Sequence, residues 1–368
     1  MAHLSRRAQT LILQPTTLCN LNCSYCYLCP QSRRTREEMA TQVAACTAAG
    51  ITAQDTTKAV DIVWHGGEPL TTRRAHFHAL VEVFEPLRRR GLIRHYVQTN
   101  ATLIDDAWCE LFTSYDFHVG VSIDGPEIAN RNRADWSGAP VFSRVMRGVA
   151  ALKSHGLDFS AICVVTPETI TDPDALFDFF EHLGAASIGF NIEEFEGAND
   201  HRPAAGPQHI RRFWKRLFDR IAEGSPLRAR EATRLLGYLA DVRAGRRARW
   251  TDMAHDPIPT IGTNGDVVVL SPELYGVKDD AHHDFVIGNV TREPLPAIVA
   301  RASQAPYVAQ FLSGVDHCKA VCGIFTFCQG GQAGNRYFET GDFTTSETAY
   351  CRNTKQELVR ALSETMGV

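Results

Sequence analysis

Six short apolar runs, each separated from the next by a longer amphipathic stretch, fill the first half of the chain. This alternation restricts the fold more than any other feature. The strand candidates are Thr10–Gln14, Val60–Trp64, Ile93–Gln98, Phe117–Ile123, Phe159–Val165 and Ser187–Asn191. Between them, helical periodicity covers Arg36–Ala49, Arg74–Arg90, Asp105–Ser114, Phe142–His155 and Asp174–Leu183. Parallel strands need a crossover of a dozen or more residues, usually a helix. The grammar therefore predicts an α/β fold, with a parallel sheet and helices outside it. An open doubly wound sheet and a complete or partial barrel both satisfy it, and periodicity does not choose between them.

Beyond Asn191 the pattern changes. Gln208–Glu223 and Glu231–Ala244 read as helices, the first carrying Ile210, Phe213, Leu217 and Ile221 on one face. Arg243, Arg246, Arg247 and Arg249 form a basic run that reads as a solvated face. Thr-Asn-Gly ahead of Asp-Val-Val-Val-Leu predicts a hairpin within Thr260–Ser271. Asp316–Asn353 is rich in cysteine and glycine with little periodicity, and is expected to need a metal to fold. The net charge of −4 and pI near 6.4 give no basic field for nucleic acid. No apolar run approaches the ~20 residues of a membrane span, and Leu11–Leu13 is too short for a signal-peptide core. A cytoplasmic protein with neither nucleic-acid nor membrane partner is expected.

The cysteine count is 11, odd and clustered, which suits metal ligation in a reducing compartment better than disulfides. Cys29, Cys46, Cys109 and Cys163 fall outside the clusters; the last two sit in apolar context and read as buried small hydrophobes. Cys19-x3-Cys23-x2-Cys26 follows the first strand. Three thiolates on a short loop can hold three corners of an iron–sulfur cube and leave the fourth iron open. A zinc site is the alternative, but it needs a fourth protein ligand, and Cys29 beside Pro30 is awkwardly placed for one.

Four motifs in order after successive strands resemble the radical S-adenosylmethionine (SAM) enzymes. They are Pro15-Thr-Thr-Leu-Cys19-Asn-Leu-Asn-Cys23-Ser-Tyr25-Cys26-Tyr27, His65-Gly66-Gly67-Glu68-Pro69, Gln98-Thr-Asn100 and Ser122-Ile-Asp124-Gly-Pro126. The resemblance implies a partial (β/α)6 TIM-type barrel and a [4Fe–4S] cluster on Cys19, Cys23 and Cys26. The open iron would chelate SAM, and one electron would release a 5′-deoxyadenosyl radical that abstracts hydrogen. It further implies a cofactor-binding motif in which Gly66 and Gly67 let the backbone approach closely, Pro69 fixes the exit, and Glu68 and nearby carbonyls receive the methionine ammonium. Asn100 and Ser122 would meet ribose or carboxylate, and Arg133 the carboxylate, with Tyr25, Gln98 and Asp124 in the same cofactor-binding motifs.

Cys318-x3-Cys322-x5-Cys328-x22-Cys351 resembles a reduced form of the cysteine-rich SPASM extension of peptide-modifying radical SAM enzymes. Gln332 stands where a further cysteine is expected, and the hairpin Gly262–Ser271 carries none. All three missing ligands belong to the first auxiliary cluster of the full form. One auxiliary [4Fe–4S] cluster, the second of the protein, is therefore expected, with zinc as the alternative. Ser271-Pro-Glu-Leu, Ile287-Gly-Asn-Val, Cys328-Gln-Gly-Gly-Gln-Ala-Gly-Asn335, Phe338-Glu-Thr-Gly-Asp-Phe343 and Glu347-Thr-Ala-Tyr-Cys351-Arg resemble the cyclophane-forming (GrrM-like) peptide maturases. Those enzymes join an aromatic ring carbon to a β-carbon in a ribosomally synthesised precursor peptide.

The resemblance thus implies a precursor peptide and an external electron donor of flavodoxin or ferredoxin type as partners. Thioether formation and Ser/Cys oxidation to formylglycine are the enzymatic alternatives, and a non-catalytic iron–sulfur redox protein is a third. The expected division is a barrel over 1–205, a helical linker over 206–255 and an auxiliary-cluster domain over 256–368. Nine residues before Thr10 are too few for a separate leader-binding domain, so the peptide is expected to meet the barrel, the C-terminal region or another chain. Crosslinking needs a proton acceptor at the barrel mouth. Glu193 or Glu194 is the first candidate, and if the strand continues alternation admits only one of them to the interior. His65 and Asp124 are next.

Overall fold

The structure, a computed structural model, describes residues 1–56, 58–251 and 253–367, so the last residue of the expected 256–368 unit lies outside it. Strands β1 (Thr10–Leu13), β2 (Val60–Trp64), β3 (Ile93–Thr99), β4 (Phe117–Ser122), β5 (Phe159–Val165) and β6 (Ser187–Ile192) pair in parallel, each with its predecessor. On the other side of β1 the sheet continues through β7 (Thr260–Ile261), in parallel. The antiparallel β8 (Asp266–Val268) and β9 (Gly288–Asn289) follow. The sheet ends at β6 and β9 without closing, which makes it the partial barrel that the motifs implied.

Along β2, β3 and β5 fully buried positions alternate with more open ones. Period two sends one set beneath the outer helices and the other toward the lumen. Val63, Gln98, Ile162 and Val164 are lumen residues of this kind. The helix Pro207–Ala222 is fixed to the barrel by Phe213, whose ring meets Phe177 at 5.2 Å and Phe190 at 5.4 Å. Its neighbour Trp214 donates to the carbonyl of Asn353 at 2.7 Å, which ties the C-terminal segment to the same core. A second core lies under the C-terminal segment, around Leu274, Phe285, Tyr307, Phe311 and Phe343.

Three expectations change. The helix expected over Arg36–Ala49 begins only at Thr41 and runs to Ala53, because Glu38 bridges to Thr16 and Met39 donates to the carbonyl of Pro15. The helix expected over Arg74–Arg90 breaks into Arg74–Glu82 and Glu85–Arg89. Pro86 causes the break: its ring cannot follow an unbroken turn past the carbonyl of Glu82. The segment expected to lack periodicity is largely helical, with helices Pro306–Val321, Phe325–Cys328 and Ala333–Thr340. Their apolar contacts come from Phe285, Tyr307 and Phe343, residues too far apart in sequence for a local window to join. Among the described residues no helix is long and apolar enough to cross a membrane.

Candidate active site

The loop after β1 folds over the C-terminal end of the barrel and places Cys19, Cys23 and Cys26 in the wall of a cavity of about 440 Å³. Backbone bonds hold it against the segment after β4: Asn22 N–H to the carbonyl of Ala134 at 2.7 Å and Ser24 N–H to that of Asn132 at 3.0 Å. Arg33, buried, donates to the carbonyls of Leu28 and Leu21 from within the loop, and Trp136 donates to that of Cys19 at 2.8 Å. Arg33 and Trp136 lie outside the quoted motifs, and nothing local marks them as supports of the loop. Burial pushes the Cys19 thiol up to about 12 and that of Cys23 to about 11. Cys29 is exposed and bonds to Gln31.

Gly66 and Gly67 turn the chain at φ +98° and +55°. A Cβ on Gly67 would stand 2.5 Å from the carbonyl oxygen of Leu18, so this glycine lets the second loop lie directly on the cysteine loop. Gly67→Ala is expected to destabilise the protein by about 1–3 kcal/mol, the scale of a strained backbone, and to weaken SAM binding. Thermal unfolding and SAM titration check both. The carboxylate of Glu68 is buried and already accepts from Leu70 N–H (3.0 Å), Thr99 Oγ1 (2.7 Å) and Asn100 N–H (2.7 Å). In this structure it locks the end of β3. Pro69 opens a short 3-10 turn behind it and, like Gly66, lies off the cavity wall.

Gln98 donates to Ser122 Oγ at 2.8 Å across adjacent strands, and both line the cavity together with Asn100. Tyr25 donates to Asp124 Oδ2 at 2.5 Å and receives Arg133 Nη1 at 2.7 Å. Asp124 is fully buried beneath this pair; its other oxygen accepts from Val164 N–H at 3.1 Å. That leaves it away from the cavity wall, unlike a proton acceptor for a substrate. Arg133 lines the cavity, is 5% exposed, and its Nε has no partner. Asp124 Oδ1 lies 3.8 Å from the Nη1 of Arg133, so the unpartnered Nε N–H, near Cys23 and Cys26, is what remains for an anionic group such as a carboxylate. His65 also lines the cavity, its Nε2 3.2 Å from the Tyr27 hydroxyl and its Nδ1 unpartnered; burial lowers it to about 4, so it is neutral at pH 7.

Strand β6 ends at Ile192, so alternation stops there and both Glu193 and Glu194 reach the cavity wall. Their surroundings differ. Glu193 is held by Arg202 and Asn199, a paired carboxylate. Glu194 accepts from Asn335 of the C-terminal segment and stands with Glu196 and Glu273. These three acids also line a second, polar cavity of about 360 Å³, shared with Lys355 and Arg230. Burial pushes Glu194 up to about 8, and it raises Glu196 and Glu273 as well. Glu273 was not legible as a site residue. Only the return of the chain from β8 to the barrel mouth brings it there.

Cys318, Cys322, Cys328 and Cys351 line one small pocket with Gln332 and Arg336. Among the described residues no group of three or more His, Cys, Asp or Glu side chains is already placed to hold a single metal ion.

The chain matches the radical SAM superfamily over residues 13–180. It is similar to the uncharacterized protein sll1766 of Synechocystis, 32% identical over 97% of this chain and 93% of that one. It is similar to the serine-type anaerobic sulfatase-maturating enzyme of Bacteroides thetaiotaomicron, 33% identical over 88% of this chain and 82% of that one. Its fold is similar to that of native anSMEcpe with bound AdoMet, at a TM-score of 0.78 and 22% identity, covering 97% of this chain and 98% of that one.

Proposed function

This chain belongs to the radical SAM superfamily, and on that premise we propose that it oxidises a ribosomally made precursor peptide, joining an aromatic ring carbon to a β-carbon. The observation that carries this reading is the single complete set of four thiols in the C-terminal segment, with Gln332 and a thiol-free β7–β8 hairpin where a second set would need ligands. The reading takes 1–205 as the barrel, 206–255 as the connecting helices and 256–368 as the unit carrying one auxiliary [4Fe–4S] cluster.

Cys19, Cys23 and Cys26 would hold the radical cluster, and Arg133 would take the SAM carboxylate on its free Nε. Gln98, Asn100 and Ser122 offer polar groups to the ribose. When bound, SAM and the cluster supply a carbon radical that removes hydrogen from the peptide. Tyr25, Arg133 and Asp124 keep this end of the cavity rigid. The ring must then lose one proton and one electron to regain aromaticity. Glu194, Glu196 and Glu273 receive the proton as a group: three crowded carboxylates cannot all ionise together, and the member that is ionised accepts it. Cys318, Cys322, Cys328 and Cys351 would hold an auxiliary cluster that could take this electron and pass it to a carrier of flavodoxin or ferredoxin type. One electron is taken in for each one released, so SAM is the net oxidant.

A peptide deuterated at the attacked β-carbon is expected to yield 5′-deoxyadenosine carrying one deuterium. Unlabelled 5′-deoxyadenosine beside a crosslinked product would overturn this site of abstraction. A second reading, oxidation of Ser or Cys to formylglycine, is favoured by the similarity to the sulfatase-maturating enzyme.

The acids also predict a pH dependence. Glu194 stays protonated in the fold up to about 8, whereas the unfolded chain ionises it near the ordinary value of 4.5. Its contribution to stability is complete below the lower value and is lost as pH rises through the upper one. Glu194→Gln should therefore melt with the wild type at about pH 5 and above it at about pH 9. Thermal melts across that range check the sign.

A further inference from the structure

Arg336 lies 2% exposed beside the C-terminal thiols. Its guanidinium donates to Cys318 Sγ at 3.4 Å and to the carbonyls of Phe343 at 2.8 Å, Gly330 at 2.7 Å and Phe311 at 3.3 Å. The space is made for it: a Cβ on Gly314 would stand 2.0 Å from Nη1, and the ring of Phe311 lies 5.0 Å from the guanidinium carbon. The groups whose ionised forms bear on it most are the thiols of Cys318, Cys328 and Cys351, ahead of Asp342. Asp342 is engaged by Thr344. Burying a guanidinium without a counter-charge costs several kcal/mol. Its carbonyl partners satisfy N–H groups and leave the charge unanswered.

We propose that Arg336 is the built-in counter-ion of a cluster held by Cys318, Cys322, Cys328 and Cys351, and that it sets this site to accept an electron. Reduction adds one negative charge to a thiolate-bound core. A fixed cation with an N–H directed at a ligating sulfur stabilises the more negative state and raises the potential. In the proposed reaction the ring adduct gives one electron to this site and one proton to the carboxylate group, and the electron then passes to a carrier of flavodoxin or ferredoxin class. The proposal rests on the auxiliary-cluster reading above.

The test is an EPR-monitored redox titration of the full chain in a Cys19→Ala, Cys23→Ala, Cys26→Ala background, where the remaining signal comes from the second site. Arg336→Gln is expected to lower the midpoint by at least a tenfold change in the reduction equilibrium, about 59 mV for a one-electron couple. Arg336→Lys, which keeps a charge but not the fork, should fall between Gln and the parent. It decides the matter if the Gln variant fails to hold its iron. A midpoint equal to or above the parent's in whichever variant loads overturns the role of Arg336 alone. Zinc, or no iron–sulfur signal, in the unmutated Arg336 parent overturns the auxiliary-cluster reading and the proposal with it.

Discussion

Replacing Cys19, Cys23 and Cys26 together by alanine is expected to reduce 5′-deoxyadenosine formation to background while the C-terminal cluster still assembles. The two thiol sets lie in separate pockets, one at the barrel mouth and one under Arg336. Loss of the first set removes three corners of a cube and leaves no ligand to rebuild it. Cys318 stands on the helix Pro306–Val321, which packs on Phe343 rather than on the barrel loop. Iron should fall from about eight to about four per chain, read by metal analysis, with the remaining iron EPR-active after reduction. Retained SAM cleavage would show that the radical cluster sits elsewhere. About four iron and one zinc in the wild type would mean that the second site is structural zinc.

Glu273→Gln, and separately Glu194→Gln, should leave SAM cleavage intact and slow peptide crosslinking by ~10²-fold or more, the scale of a lost general base. Both acids face the cavity that holds Cys19 and Glu68, and both are raised by burial, which makes each, once ionised, a stronger proton acceptor than an ordinary carboxylate. Glu193 is the internal comparison. It lies on the same wall but is held by Arg202 and Asn199, so Glu193→Gln should disturb loop packing more than proton transfer. Quantifying 5′-deoxyadenosine and product in the same reaction separates the two effects. Product and 5′-deoxyadenosine falling in parallel in the Glu273 and Glu194 variants would count against a base and in favour of a role in SAM binding.

The barrel was legible because each strand carries its own apolar run and each crossover its own helical period. The motifs were legible because radical chemistry concentrates its ligands just after β1 and β2. Contacts that depend on chain return were not. Glu273 sits in an apolar stretch, and nothing local marks it as a partner of Glu194, some 80 residues earlier. Glu193 and Glu194 were expected to point apart by strand alternation, but β6 stops at Ile192 and frees both. Asp124 looked like a polar group at a strand end; only the bonds from Tyr25 and Val164 show that it is a buttress. Arg336 went unnoticed because its role requires Cys318, Gly314 and Phe343 to meet around it, from one helix and a loop.

The central claim, a carbon–carbon crosslink in a peptide, is tested most directly by the product. The reconstituted enzyme would be incubated with SAM, a reductant and a candidate precursor peptide. The account predicts a peptide lighter by two hydrogens, silent to backbone fragmentation between the linked residues and unreactive toward an aldehyde-trapping hydrazide. Serine oxidation would give the same mass loss, so the trapping and the fragmentation carry the decision. A product that forms a hydrazone and fragments along its whole backbone would contradict the crosslink and assign the enzyme to formylglycine formation.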